Sequence, residues 1–385
     1  MTGILTLNAG SSSMKFGLYR DAADPVELLH GQIDGIGTAA RLILTTSEGT
    51  TATKVAAPTQ ADALTRVIEA LTGPLADLTI TGVGHRIVHG GPQFSAPVIL
   101  TQDVLAALSD LRPLAPLHQP HNLAAVAVAQ QAFPNAVQVG CFDTAFHRGH
   151  PWVNDTFAIP RRYYDAGIRR YGFHGLSYDY ITGVIKRDHP ELHQGRIIVA
   201  HLGNGASMCA IRAGRSVGST MGFSALDGLP MGTRCGQIDP GVVLYLIEQE
   251  GLPPHEVMQM LYEGSGLLGL SGLTSDMRSL LASKQPEAQQ AIDYYVFRAR
   301  REVGALAAVL GGLDALVFCG GIGENAFQIR ERICDDMDWL GLELDENRNR
   351  HNEEVVSSDR SRVRIFVLPT NEELMIARHV IALDQ

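Results

Sequence analysis

Apolar and small polar residues alternate along "ILTLNAGSSSMKFGLY" (4–19), so two strand-like runs flank a turn built of Asn8, Gly10, Ser11, Ser12 and Ser13. The two-residue period predicts strands at 4–7 and 14–19, then at 28–33 and 41–46. The period then lengthens. Leu64, Val67, Ile68 and Leu71 share one helical face over about 60–72, and Thr59 can cap that helix. A strand near 79–89, helices near 102–111 and 121–131, and a strand at 136–142 complete a mixed α/β half.

The second half repeats the style. "RIIVAHLGNGASMCAI" (196–211) is again strand, glycine-rich polar turn, strand, and placing "GSSSM" over "NGASM" aligns Ser13 with Ser207 and Met14 with Met208. Two hairpins of one design, each opening a half of similar length, predict an internal duplication, and duplicated halves predict a ligand cleft. Asp239 and Pro240 form an N-cap and first helical position, with Gly251 expected to end that helix. A helix near 286–310 carries Ile292, Tyr295, Val296, Ala299, Val303, Leu306, Ala307 and Leu310 on one stripe, expected to face the core or a second subunit. A strand at 314–319 runs into "GGIGEN", the last helix starts in "PTNEEL", and polar residues 346–362 are expected to be a solvated loop.

A chain of 385 residues exceeds what one core usually supports, so two domains are expected. A net charge of −10 argues against a nucleic-acid binder but leaves room for a local basic pocket. The five cysteines (141, 209, 235, 319, 334) show no C-x-x-C and no metal spacing, which predicts reduced thiols in a cytoplasmic protein. "MTGILTLNAG" lacks the basic start of a secretory leader, and the apolar stretch 304–323 holds Asp314 and several glycines, so no membrane span is expected.

The chemistry must come from other devices than the common nucleotide motifs, because G-x-x-x-x-G-K-[ST] is absent and no G-x-G-x-x-G follows a strand. Backbone N–H groups in polar hairpin turns, helped by serine hydroxyls, make anion-binding nests, and "NAGSSSMK" and "HLGNGAS" both qualify. Gly, Ser and Asn are also ordinary turn residues. In "GVGHRIVHGG" (82–91) the strand pattern puts Arg86 and Val88 on one face, with His85 and His89 opposite as structural residues; Arg86 suits an anion partner. Asp143 directly follows a buried strand, where α/β folds keep their chemistry, although a turn-forming Asp is an equal alternative. "GIRRYGFHG" and "LPMGTRCG" set His174 and Arg234 in glycine-rich loops that can clasp anions. "FCGGIGEN" lets backbone approach a flat ligand or simply caps a helix. Glu372 and Glu373 fit a helix dipole without any function, or could hold magnesium beside a nucleotide. Anion-binding turns, two arginines, a histidine, a strand-end Asp and an acidic helix start are equipment for phosphoryl transfer.

With these blocks in order ("LNAGSSSMKF", "GHRIVHGG", "APLHQP", "FDTAFH", "RRYGFHG", "HLGNGAS", "MGTR", "TSDMR", "GGIGEN", "PTNEEL") the chain resembles the acetate kinase family, within the superfamily of sugar kinases, heat-shock ATPases and actin. The resemblance spans nearly the whole chain. It implies two duplicated RNase H-like α/β domains, mixed sheets flanked by helices, with the active site in the interdomain cleft. The expected boundaries are 1–147 plus 371–385, and 148–370, the latter carrying most of the nucleotide site. It implies in-line phosphoryl transfer from ATP to acetate with Mg2+ (or Mn2+), and a homodimer without nucleic-acid or membrane partners.

Carried over, the resemblance implies Asp143, His174, Arg234 and Arg86 as catalytic, and Arg86, Val88, Leu117 and Phe173 as substrate-binding. It assigns Ser11, Ser13, Lys15, His201, Leu202, Gly203, Asn204, Gly205, Asp276, Met277, Arg278, Gly321, Ile322, Gly323 and Asn325 to the nucleotide, and Asn8 and Glu372 to the metal. The chain departs from the family pattern at Leu176 and Tyr178 after His174, at Cys235 and Gln237 after Arg234, and at Ala225, where a proline usually lines the acyl pocket. A smaller residue there bears on acetate against propionate. Three rivals compete. A chaperone-like ATPase would not need Arg86 and Arg234. A sugar kinase would need a polar pocket where Val88, Leu117 and Phe173 stand. A longer-chain acyl kinase is separable by substrate profile.

Overall fold

The computed structural model describes residues 2–10, 12–71, 73, 78–116 and 118–384. Ser11 and Leu117, both among the expected site residues, lie outside them. The chain divides into two compact units. Unit 1 comprises Met1–Arg148, Gly175–Ser177 and Asn371–Gln385; unit 2 comprises Gly149–His174 and Tyr178–Thr370.

The eight strands of unit 1 are β1 (Thr2–Ala9), β2 (Ser13–Arg20), β3 (Val26–Asp34), β4 (Arg41–Thr46), β5 (Gly49–Lys54), β6 (Thr79–Ile87), β7 (Val98–Ile99) and β8 (Val137–Phe142), in the order β5-β4-β3-β2-β1-β6-β8-β7. Unit 2 holds β9 (Arg196–Leu202), β10 (Ala206–Arg212), β11 (Arg215–Ser219), β12 (Ala315–Cys319) and β13 (Arg364–Val367), in the order β11-β10-β9-β12-β13. The two sheets share one plan. An antiparallel hairpin (β1–β2, β9–β10) opens each half, and two further strands lie parallel to its first strand (β6 and β8; β12 and β13).

Helices cover each sheet separately. In unit 1, helix Gln60–Leu71 buries Ala63, Leu64, Val67 and Leu71 in one cluster with Leu5, Leu7, Phe16 and Ile33. Thr59 caps it reciprocally, its Oγ1 accepting from Asp62 N–H while its own N–H donates to the Asp62 carboxylate. Helix Glu372–Asp384 packs Ile376, Ala377 and Val380 against Ile4, Val139 and Cys141. In unit 2, all eight stripe residues of helix Pro286–Leu310 are buried within the chain.

One strand is added and three expectations change. The polar segment "GTTATK" forms β5, a strand that hydrophobic alternation could not signal because every residue is exposed. Strand β6 ends at Ile87, so Val88 lies past the strand rather than on Arg86's face. The helix after Asp239 ends at Glu248, before Gly251, which adopts φ +71° in the following turn. The stretch 346–362 contains helix Glu346–Arg350 capped by Asp345, and Val355 bridges Phe366.

His85 and His89 are structural in unit 1. His85 Nε2–H donates to Gln138 Oε1 (2.8 Å), and His89 Nδ1 accepts from Gly91 N–H (2.9 Å). Burial pushes the His85 imidazole down to about 4 against that hydrogen bond, and burial with the Arg148 charge pushes His89 down to about 3. Unfolded imidazoles protonate near 6.5, so the native state takes up fewer protons below that pH. The stability they support is whole above pH 6.5 and is lost as pH falls toward 4 and 3, on the order of a few kcal/mol per residue at the acid end. Urea midpoints at pH 7 and pH 5 should therefore differ more in the wild type than in His85→Gln; equal differences would refute the assignment.

Candidate functional site

In unit 1, register places the chemistry. Strand β6 pairs with β8 so that Arg86 stands opposite Cys141, and Asp143, two residues further, points to the same face. On the other side, Leu7 pairs with His85, which puts Asn8 beside Arg86. The carboxyl ends of β1, β6 and β8 thus bring three polar side chains together, the position at which α/β sheets keep ligands.

Arg86 grips Asp143 with two hydrogen bonds, Nε to Oδ1 (2.9 Å) and Nη2 to Oδ2 (2.6 Å), and donates from Nη1 to Asn8 Oδ1 (2.9 Å). Its Nη1 is also 3.8 Å from Glu372 Oε2, and Asn8 Nδ2 donates to Glu372 (3.3 Å) and Glu373 (3.4 Å). Burial alone would lower the Arg86 pKa, but the charges of Asp143, Glu372 and Glu373 outweigh it and raise it, so this cation is permanent. Asp143 is 1% exposed; burial pushes its carboxyl upward, Arg86 opposes, and Glu372 adds to the rise. Lys15 is exposed and pairs with Asn8 across the β1–β2 hairpin, so both side chains share a face.

The first polar turn is braced from below. Gly10 N–H donates to the Ser13 carbonyl (2.8 Å), Gln60 Nε2 to the Gly10 carbonyl (2.7 Å) and Asn122 Nδ2 to the Ala9 carbonyl (2.8 Å). Asn122 Oδ1 also accepts from Val88 N–H (3.0 Å), whose side chain is buried. Neither Gln60 nor Asn122 was among the expected residues, since an amide on a helix carries no sequence signal until the strand it braces is known.

Unit 2 collects a second set. His174 has φ +57°, left-handed for a β-branched-free but still bulky residue, and precedes helix Gly175–Asp188. Its ring stacks on His201 at 4.3 Å between centroids, and its Nδ1 lies 2.8 Å from Ser207 Oγ, which also meets the Tyr178 hydroxyl. A Cβ on Gly205 would come within 3.3 Å of His174 Nε2 and 3.9 Å of Arg234 Nη1, so glycine there leaves both groups room to face one ligand. Gly232 serves a similar end: its N–H donates to the Asn204 carbonyl (3.0 Å), and any side chain would collide with Asn204. Arg234 Nη1 donates to the Ala225 carbonyl (3.2 Å). Phe173 is buried.

The remaining nucleotide candidates differ in what they can offer. Leu202 and Met277 are buried. Asp276 caps helix Met277–Ala282 and accepts from Ser279 Oγ (2.9 Å), while the Arg278 side chain projects into solvent. Gly321 and Asn325 are exposed in helix Gly320–Asn325, and Asn325 Nδ2 donates back to the Gly321 carbonyl (2.9 Å). The fully buried Arg330 holds that helix from behind, donating to the Gly323 carbonyl (2.8 Å) and to Asn349.

The acetokinase family model matches residues 3–378. The chain belongs to the acetokinase family. This acetokinase is 54% identical to the acetate kinase of Methylocella silvestris, over 99% of the chain and 97% of the relative, and 48% identical to that of Nitrobacter hamburgensis, over 100% and 96%. Among solved structures it is similar to Porphyromonas gingivalis acetate kinase, with TM-score 0.90 and 36% identity over 100% of both chains. It is also similar to a propionate kinase from Francisella tularensis, with TM-score 0.92 and 37% identity over 98% and 99%. The acetokinase's two-sheet α/β fold is therefore that of the solved acetate kinases.

Proposed function

We propose that this acetokinase catalyses reversible in-line transfer of the γ-phosphoryl group of ATP to acetate, giving acetyl phosphate and ADP. The observation that carries the reading is the full-length relationship to acetate kinases at up to 54% identity. The side chains supply a matching chemistry. Acetate is already ionised at neutral pH, so no base is required; the barrier is repulsion between a carboxylate and a polyphosphate. Arg86 binds the carboxylate, with Asp143 and Asn8 holding its fork. Arg234 and His174 neutralise the equatorial oxygens of the transferring group. By the family relationship, Val88, Leu117 and Phe173 are assigned to the methyl group, and Ser11, Ser13, Lys15 and His201–Gly205 to phosphates. Asp276–Arg278 and Gly321–Asn325 border the adenosine.

Among the described residues no cluster of three or more His, Cys, Asp or Glu forms a metal site. Glu372 offers hard carboxylate oxygens, while the Asn8 side-chain oxygen accepts from Arg86 and its amide nitrogen faces Glu372. The protein would thus contribute few donors, which fits Mg2+ held mainly by water and nucleotide phosphates with Asn8 reaching it through water. Bound there, the ion would neutralise phosphate charge. Five free cysteines support a cytoplasmic location, and the family relationship supports a homodimer. Among the described residues no helix is long and apolar enough to cross a membrane.

Propionate is the second reading, favoured by Ala225 and by the similarity to the Francisella propionate kinase. Hydroxylamine trapping of acyl phosphate with Mg-ATP and subsaturating acetate, propionate or butyrate decides between them. Acetohydroxamate should dominate and vanish on adding EDTA. A dominant propionohydroxamate would move the substrate, and no hydroxamate with any acid would overturn the kinase reading.

A further inference from the structure

The set in unit 2 contains a hydrogen-bonded chain that the transfer chemistry above does not use. Tyr178 lies four residues after His174, one turn along helix Gly175–Asp188, and its N–H donates to the His174 carbonyl (3.1 Å). Both side chains therefore fall on one side of the helix start. Ser207 in β10 pairs with His201 in β9, so these two share a face of the sheet. The result joins the helix to the hairpin: the His174 ring stacks on His201, and the Ser207 hydroxyl contacts both His174 Nδ1 and the Tyr178 hydroxyl. Ser207 and Tyr178 are fully buried.

We propose that Tyr178, acting through Ser207, is a positioning residue that sets the tautomer of His174. A serine hydroxyl has one proton to give. A phenol is the stronger acid of the two hydroxyls and the better donor, so Tyr178 donates to Ser207 Oγ. Ser207 in turn donates to His174 Nδ1, which becomes the acceptor nitrogen. The remaining proton then sits on Nε2, the nitrogen that faces Gly205 and the Arg234 side of the turn. A neutral imidazole in this tautomer presents an N–H to a phosphoryl oxygen; in the other tautomer it presents a lone pair and repels it. The stack on His201 and the left-handed backbone at His174 hold the ring in plane, and the hydroxyl chain fixes which nitrogen carries the proton. The proposal rests on the phosphoryl-binding role of His174.

The test separates the two ideas. The full-length protein is labelled with 15N-histidine, and the His174 signals are assigned by their loss in His174→Gln. In the wild type, Nε2 should be protonated and Nδ1 an acceptor. Tyr178→Phe removes one oxygen and should give the averaged nitrogen shifts of a mixed tautomer. Its kcat should fall about ten-fold, less than the roughly 10²–10⁴ of a lost proton donor because part of the population keeps the competent tautomer, with the KM values for ATP and acetate unchanged. Ser207→Ala should give the same loss, and the double variant should lose no more than either single, because the residues act in series. A protonated Nδ1 in the wild type, an unchanged tautomer in Tyr178→Phe, or additive losses would overturn the proposal. A tautomer that shifts in Tyr178→Phe while kcat stays at the wild-type value would uphold the hydroxyl chain and remove His174 from the reaction.

Discussion

Arg86→Ala is expected to lower kcat/KM for acetate by about 10²–10⁴-fold, the range found when a charge contact made in the transition state is deleted. The substitution should also cost stability, because Arg86 neutralises the buried Asp143 through two hydrogen bonds and sits 3.8 Å from Glu372. Without it, Asp143 is left buried and partnerless toward its former cation, which costs about 3–5 kcal/mol of stability when a buried pair is broken from one side. The two effects separate in the double variant Arg86→Ala/Asp143→Asn. Removing the stranded charge should recover most of the denaturant midpoint and none of the activity. Near-normal turnover in Arg86→Ala would remove Arg86 from the reaction, and a double variant as unstable as the single would show that Asp143 is not the group left exposed to the loss.

Arg234→Ala is expected to have a kinetic effect of the same size. Arg234 donates to the Ala225 carbonyl and approaches Met231 Sδ. Arg234→Lys should recover only part of the loss, since a point charge cannot reproduce the planar fork that spans two phosphoryl oxygens. The measurement is kcat/KM in both directions of the reaction with urea midpoints run in parallel. Turnover within a few-fold of the wild type in Arg234→Ala would sink the assignment.

The two arginines show where legibility in the chain stopped. Both stood out as cations in otherwise apolar or glycine-rich surroundings, and "GHRIVHGG" and "MGTR" were enough to single them out. Their partners were not visible. Asp143 is 57 residues from Arg86, and the bidentate pair exists only because β6 and β8 run parallel with Arg86 opposite Cys141. Strand register is a property of hydrogen bonding between segments, and a one-residue slip would turn Asp143 to the other face. Likewise, Ser207 was matched to Ser13 as one of two similar turns, but its contact with His174 and Tyr178 depends on a cross-strand pair and a helix start meeting.

Local pattern therefore determined a great deal by itself. Hydrophobic period and capping residues located most of the regular elements, including helix Pro286–Leu310 with every residue of its apolar stripe buried. The repeated hairpins foretold that the two sheets would share one plan, since a duplicated sequence carries the same alternation into each half. The ordered glycine-, serine- and arginine-bearing blocks carried the family. Only the tertiary structure decided what could not be encoded by neighbours in the chain. It paired β5, whose exposed polar residues gave no alternation to read; it stopped β6 before Val88; it buried Arg330 behind helix Gly320–Asn325; and it set a tyrosine and a serine 29 residues apart behind the ring of His174. Each depends on contacts between segments distant in sequence, whose strength comes from burial and register rather than from any local preference.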